Sequence, residues 1–142
     1  MSGFSLVVPV DITMKKSAFT SPRLPWILAT IGFMAILATI LWFAYHGNLP
    51  PLLTKNDKLA HLVLYGIAAF LGHRALNRRH IKKFGCSVPL FPFLFSLFTL
   101  GEELAQGLSP NRSLDMIDLI ASFAGIALGY YLAQRNWFSS SK

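Results

Sequence analysis

An apolar stretch of 22 residues, Leu24–Tyr45, carries no formal charge and limits the possible folds more than any other part of the sequence. As a helix it rises about 33 Å, enough to cross a hydrocarbon core of ~30 Å. The chain is 54% hydrophobic and only 13% charged, which argues against a soluble globule or a disordered chain. A cleaved signal peptide is the alternative, but its apolar region is usually ~7–15 residues long, and no A-x-A-like cleavage site follows. The stretch therefore predicts an uncleaved first membrane span.

Three further apolar stretches lie between charged residues and predict three shorter spans: Leu59–His73, Phe84–Gly101 and Leu119–Gln134. Each has only 15 to 18 residues, so polar residues at headgroup level must complete its ends. We therefore expect an all-α fold, an integral membrane four-helix bundle formed by residues 24–135. Residues 1–23 are expected to be a mobile cytoplasmic lead and residues 136–142 a cytoplasmic tail, with Met1 and Met14 both open as the translation start.

The net charge of +7 is distributed unevenly along the chain and predicts its orientation. Ten basic residues lie beside the predicted cytoplasmic ends of the spans and three lie on the other side: Lys15, Lys16, Arg23, Arg74, Arg78, Arg79, Lys82, Lys83, Arg135 and Lys142 against Lys55, Lys58 and Arg112. By the positive-inside rule both termini are cytoplasmic, N-in and C-in. The basic run Arg74–Lys83 is then a juxtamembrane loop that attracts anionic lipid, so no nucleic-acid partner is expected. His73 and His80, in and beside this run, are expected to be solvated. The single cysteine, Cys86, excludes an internal disulfide and a CxxC site.

Five of the six acidic residues fall at the predicted outer ends of spans two, three and four: Asp57, Glu102, Glu103, Asp115 and Asp118. Asp57, His61 and Tyr65 share one helical face at i, i+4 and i+8 spacing. Charged groups are tolerated at span ends when they face water or one another, so the three polar faces are expected to meet. Arg112, in the short loop before span four, is the cation expected to pair with these acids.

Small residues recur every fourth position on span four, at Ala121, Gly125 and Gly129. Span two has a shorter series of the same kind, Ala68 and Gly72. Such faces let helix backbones approach closely, so we expect these positions to serve helix packing and span four to be central in the bundle.

Several polar motifs and two glycines follow one another over about residues 57–132: Asp57-Lys58-x-x-His61-x-x-x-Tyr65, Glu103-x-x-Gln106, Arg112-x-x-Asp115-x-x-Asp118, Gly125 and Gly129. This order resembles the VanZ-like family of small bacterial membrane proteins. The founding member of that family is associated with low-level resistance to the glycopeptide teicoplanin, acting at the cell surface. The resemblance implies a multi-pass protein of the bacterial cytoplasmic membrane with a role in the cell envelope. The chain departs from the family pattern at Ser122, where members more often carry Asn, and at the additional acid Glu102.

The outer polar residues admit three interpretations: an interhelical network that fixes helix register, a ligand-binding pocket, and an enzyme that uses carboxylates and His61 for acid–base chemistry on a lipid-linked envelope substrate. No nucleophile motif supports the enzyme, and whether the chain catalyses a reaction stays open. The ligand spacing is not a metal signature, so neither a metal nor another cofactor is expected. Four short spans without a discontinuous helix pair are few for a transporter.

The partners expected are the lipid bilayer and a lipid-linked glycan or glycopeptide-like ligand, with the oligomeric state open. The candidate site for that ligand comprises Asp57, His61, Tyr65, Glu103, Gln106, Arg112, Asp115 and Asp118.

Overall fold

The computed structural model describes residues 23–135, so the predicted cytoplasmic tail and all but Arg23 of the predicted lead lie outside the described residues. The described chain is mostly helical, which confirms the all-α expectation at that level. It contains five helices and one β-hairpin: α1 Leu24–Tyr45, α2 Pro51–Lys55, α3 Asp57–Ala75, β1 His80–Lys83, β2 Cys86–Pro89, α4 Leu90–Gln106 and α5 Met116–Gln134.

Helix α1 begins and ends at the residues predicted for the first span, because an apolar run with proline near its start favours a helix. Helices α3 and α5 are longer than the predicted stretches and include the polar residues at their outer ends. At α5 the carboxylate of Asp115 accepts the backbone N–H of Ile117 at 2.8 Å and caps the helix. The one-turn helix α2 lies in a segment for which the sequence predicts a loop.

The prediction that the third span begins at Phe84 is wrong. Strands β1 and β2 pair antiparallel, with His80 opposite Pro89 and Lys83 opposite Cys86. Phe84 and Gly85 form the two-residue turn with φ of 53° and 77°, the left-handed region that tight hairpins require. Helix α4 starts only after the hairpin, at Leu90, because Pro89 ends the strand and is tolerated just before a helix.

Helices α3 and α5 form the most extensive contact in the bundle, with α1 and α4 packed beside them. A Cβ atom added at Gly125 would collide with the carbonyl oxygen of Leu62, and one at Gly129 with that of Gly66. The two backbones therefore approach as closely as glycine allows, while Ala121 is only partly buried. The fourth span, now α5, was expected to be central in the bundle. Helix α3 is equally central, because its Tyr65, Ala68 and Ala69 belong to the hydrophobic core.

Within residues 23–135, two helices are long and apolar enough to cross a membrane: α1, with a mean hydropathy of 2.3, and α5, with 1.6. Helix α3 carries charged residues near both ends, and α4 has 17 residues. The two apolar helices indicate a membrane location. Length and hydropathy support two spans and do not by themselves show the four that were predicted.

Candidate functional site

All eight predicted site residues lie at one end of the bundle. This end, here called the acidic end, is formed by the end of α1, the start of α3, the end of α4, the loop after it and the start of α5. Contacts between side chains join these elements across long stretches of sequence, from Tyr45 to Glu102 and from Lys58 to Asp118. The chain thus reverses direction at each long helix, which brings the polar faces of α3, α4 and α5 together.

Glu102, which was not among the predicted site residues, is the centre of the buried hydrogen bonds. Its carboxylate accepts the hydroxyl of Tyr65 at 3.1 Å, the more distant hydroxyl of Tyr45 at 3.4 Å, and the side-chain amide of Gln106. Glu102 is 8% exposed and Gln106 only 1%. The i, i+4 spacing of Glu102 and Gln106 is the sequence signal that points to this pairing.

Glu103, one of the predicted site residues, stabilises the start of α5. Its Oε1 accepts the backbone N–H of Asp115 at 2.8 Å, and it is 2% exposed. A buried carboxylate thereby satisfies a backbone N–H beside the end of another helix. The two adjacent glutamates thus have different roles: Glu102 joins the buried hydrogen bonds to Tyr65, and Glu103 stabilises the start of α5.

The cation that pairs with the acids of α5 is Lys58. Its Nζ lies 3.4 Å from Asp115 Oδ2 and 3.5 Å from Asp118 Oδ1. Arg112 was expected in this role, but its Nε donates to Gln106 Oε1 at 3.0 Å and its nearest carboxylate contact is 3.9 Å, to Asp57. The short loop holds Arg112 on the α4 side of the site, whereas Lys58 is one residue along α3 from Asp57 and reaches α5.

The pKa of the Asp115 carboxyl lies below its usual value, first because it accepts the Ile117 N–H and second because Lys58 is nearby. A lowered folded-state pKa makes the ionised cap stabilising above the unfolded pKa and removes that contribution as pH falls through the folded pKa. We predict that Asp115→Ala lowers the melting temperature at pH 6 and that its difference from wild type shrinks below about pH 4. Thermal unfolding in detergent between pH 3 and 7 measures this, and a difference constant over that range would contradict it.

His61 is buried between α3 and α5 with both ring nitrogens facing polar groups. Its Nδ1 lies 2.9 Å from the Ser122 hydroxyl, which itself donates to the backbone oxygen of Asp118 at 2.9 Å. Since that hydroxyl proton is engaged, Nδ1 carries a proton and donates to Ser122. The other nitrogen, Nε2, faces Asp57 Oδ1 at 3.6 Å, and the ring stacks on Tyr65 at 5.3 Å between centroids.

A narrow cleft with a cavity volume of about 30 Å³ connects the acidic end to the apolar side of α1. Its apolar wall comes from α1, α2, α3 and the segment between α1 and α2, and its polar wall is part of the candidate site. The large apolar side chains lining it are Leu37, Ile40, Leu41, Leu49, Leu53 and Leu64, and the polar ones are Asp57, His61, Tyr65, Gln106 and Arg112. One opening therefore offers an apolar and a charged surface together.

The opposite end of the bundle contains a second polar cluster, and the expectation that His73 and His80 are solvated is wrong. His73 is fully buried, and His80, at the start of β1, is partly buried. The Gln134 side-chain amide lies 3.2 Å from His73 Nε2 and 3.4 Å from His80 Nε2, and His80 also contacts the Tyr130 hydroxyl. His80, the first residue of β1, thus lies against α5, a contact that the hydropathy of the basic run does not reveal.

Comparisons of the chain with protein-family models, with curated proteins and with solved structures return no match. What the site can do therefore rests on its geometry. Beside the apolar wall of the cleft lie one carboxylate, one guanidinium and one imidazole, those of Asp57, Arg112 and His61, a combination that suits a ligand with both a polar and an apolar part.

Proposed function

We propose that the protein is a VanZ-like, multi-pass protein of the bacterial cytoplasmic membrane whose acidic end faces outward. In this proposal it is a binding or accessory protein of the cell envelope. Its ligand is an amphiphile with a hydroxyl-rich or phosphate-bearing headgroup, as in a lipid-linked glycan. A glycopeptide would share the headgroup chemistry without the long apolar chain.

The membrane part of the proposal is supported by the outer surface of the bundle. Large apolar side chains are exposed along α3, α4 and α5 as well as α1, among them Leu59 at 57%, Leu97 at 53% and Ile120 at 63%. Soluble monomers seldom expose apolar patches of this extent, whereas lipid tails accommodate them. Because α3 and α4 pack alongside the apolar helix α5, all four long helices share one membrane depth in this proposal.

The orientation is supported by the separation of charge between the two ends of the bundle. Arg74, Arg78 and Arg79 lie with the hairpin lysines at the end opposite the acids, and the Arg74 guanidinium stacks over the Trp26 ring at 4.6 Å. Basic residues concentrate on the cytoplasmic side of membrane proteins, and aromatic side chains lie at the interface. The acidic end is then extracytoplasmic.

The cleft is the single observation that carries the binding function. In this proposal an acyl or prenyl chain lies along the leucines of α1 and α2 that line the cleft, and the headgroup reaches Arg112 and Gln106 at its polar wall. Arg112 supplies a guanidinium for phosphate, and the carboxylates accept sugar hydroxyls. Catalysis has weaker support: the His61–Ser122 contact resembles a base beside a nucleophile, but Ser122 is only 1% exposed and its proton is held by Asp118.

We predict that Leu41→Trp, which fills the cleft, and Arg112→Gln, which removes the headgroup cation, each reduce lipid capture about fivefold or more. The probe is a photoreactive polyprenyl phosphate-sugar in vesicles containing the purified protein, and the readout is the cross-linked fraction. Leu28→Trp is the matched control, since Leu28 lies on α1, is 59% exposed and does not line the cleft. Equal cross-linking of wild type, Leu41→Trp and Arg112→Gln would overturn the binding function.

A further inference from the structure

Three potential metal ligands meet at the acidic end although no metal motif is present in the sequence. Asp57 and His61 come from the first turns of α3 and Asp118 from the first turn of α5. One donor atom from each side chain lies within 4.8 Å of the other two. Bound donor atoms of a Zn²⁺ site are separated by roughly 3.3 Å, so small side-chain rotations would close the set.

The imidazole is held in the orientation that a metal ligand needs. Its Nδ1 donates to Ser122, which is itself anchored on the backbone of α5. A hydrogen bond on one ring nitrogen directs the other toward the metal, the usual arrangement around ligating histidines. The ring is 8% exposed, and its Nε2 faces Asp57 Oδ1 at 3.6 Å, within ion-pair distance.

The cations that balance the charges of this cluster are distant or shared. Two carboxylates from different helices converge here, Asp118 with 5% and Asp57 with 30% of its side chain exposed, and like charges at such short range repel. Lys58, the nearest cation to Asp118, has 52% of its side chain exposed, and Arg112 stands 3.9 Å from Asp57. A divalent cation between the three ligands would neutralise both carboxylates directly, and Lys58 would compete with it for Asp118.

We propose that Asp57, His61 and Asp118 bind one divalent transition-metal ion such as Zn²⁺ or Mn²⁺. Mixed imidazole and carboxylate ligands suit these ions. Three protein ligands leave coordination positions free, and the neighbouring opening, lined by Asp57, Arg112 and Ser113, lies beside them. If the proposed function holds, this ion would also connect the site to the phosphate of the bound headgroup. That role rests on the proposed function.

The test measures metal binding without any lipid ligand, so its outcome is separate from that of the cross-linking experiment. Purified, chelator-treated protein in detergent is titrated with Zn²⁺ and with Mn²⁺ and dialysed, and bound metal is counted by elemental analysis. We expect one equivalent in the wild type and an affinity at least about tenfold lower in His61→Ala and Asp118→Asn. His46→Ala, at an exposed histidine near the same end, is the matched control and should bind as the wild type does.

Lys58→Met is an independent test, because it is expected to strengthen metal binding, whereas the ligand substitutions weaken it. Removing the competing cation should tighten metal binding, whereas in a purely structural ion-pair network it would only loosen the contact with α5. Failure of the wild type to bind one saturable equivalent would overturn the metal site. Equal affinity of His61→Ala and wild type, or weaker binding in Lys58→Met that remains folded by circular dichroism, would also overturn it.

Discussion

Gly129→Leu is expected to separate α3 from α5 and to lower the free energy of unfolding by about 3 kcal/mol or more. The reason is steric: a side chain at this position would collide with the backbone of α3 at Gly66 and Phe70, which cannot rotate away as a flexible side chain would. Unfolding of the detergent-solubilised protein, followed by circular dichroism, measures the loss.

Gly32→Leu is the matched control for this substitution. Gly32 is a glycine of α1 with no atom within 4 Å of an added Cβ, so the same change should leave stability nearly unaltered. If Gly129→Leu unfolds at the same denaturant concentration as Gly32→Leu, the close α3–α5 contact is wrong.

Glu102→Ala is expected to lower the free energy of unfolding by about 2–4 kcal/mol. The substitution leaves the Tyr65 hydroxyl and the Gln106 amide without their shared acceptor at buried positions. Because Gln106 also accepts from Arg112, the loss should propagate to the loop that carries Arg112. Thermal unfolding in detergent measures the stability, and proteolysis of the loop measures its order.

Leu104→Ala serves as the control, since Leu104 lies two residues further along α4 and is 56% exposed. Its truncation removes apolar surface that faces outward and should change stability little. Equal stability of Glu102→Ala and Leu104→Ala would show that the buried hydrogen bonds contribute nothing measurable.

The parts of the fold that follow from strong local patterns could be predicted. The uninterrupted apolar run gives α1 with both of its ends, and the i, i+4 spacing on α3 places Asp57, His61 and Tyr65 on one face. The convergence of the acids followed from their common position at the outer ends of the predicted spans. Periodicity and charge position carry this information because each is a local property of the chain.

Contacts between residues that are distant in the sequence could not be predicted from such local patterns. Phe84 and Gly85 form a turn only because two four-residue strands pair on either side of them. From hydropathy alone, the second of these strands was predicted to be part of the third span. Adjacent Glu102 and Glu103 differ in role because a rotation of about 100° per residue turns one toward Tyr65 and the other toward α5. His73 contacts Tyr130 and Gln134 of α5 as well as His80 of the hairpin, so its burial depends on the tertiary fold.

Cys86 offers the most direct test of the central claim, a multi-pass protein with its acidic end outside. This single cysteine is exposed in the hairpin at the basic end. Whole cells are treated with a membrane-impermeant maleimide before and after permeabilisation, and a Ser113→Cys variant in a Cys86→Ser background reports on the exposed loop at the acidic end. We expect Cys86 to react only after permeabilisation and the cysteine at position 113 to react in intact cells. Labelling of Cys86 in intact cells, with protection of position 113, would contradict the account.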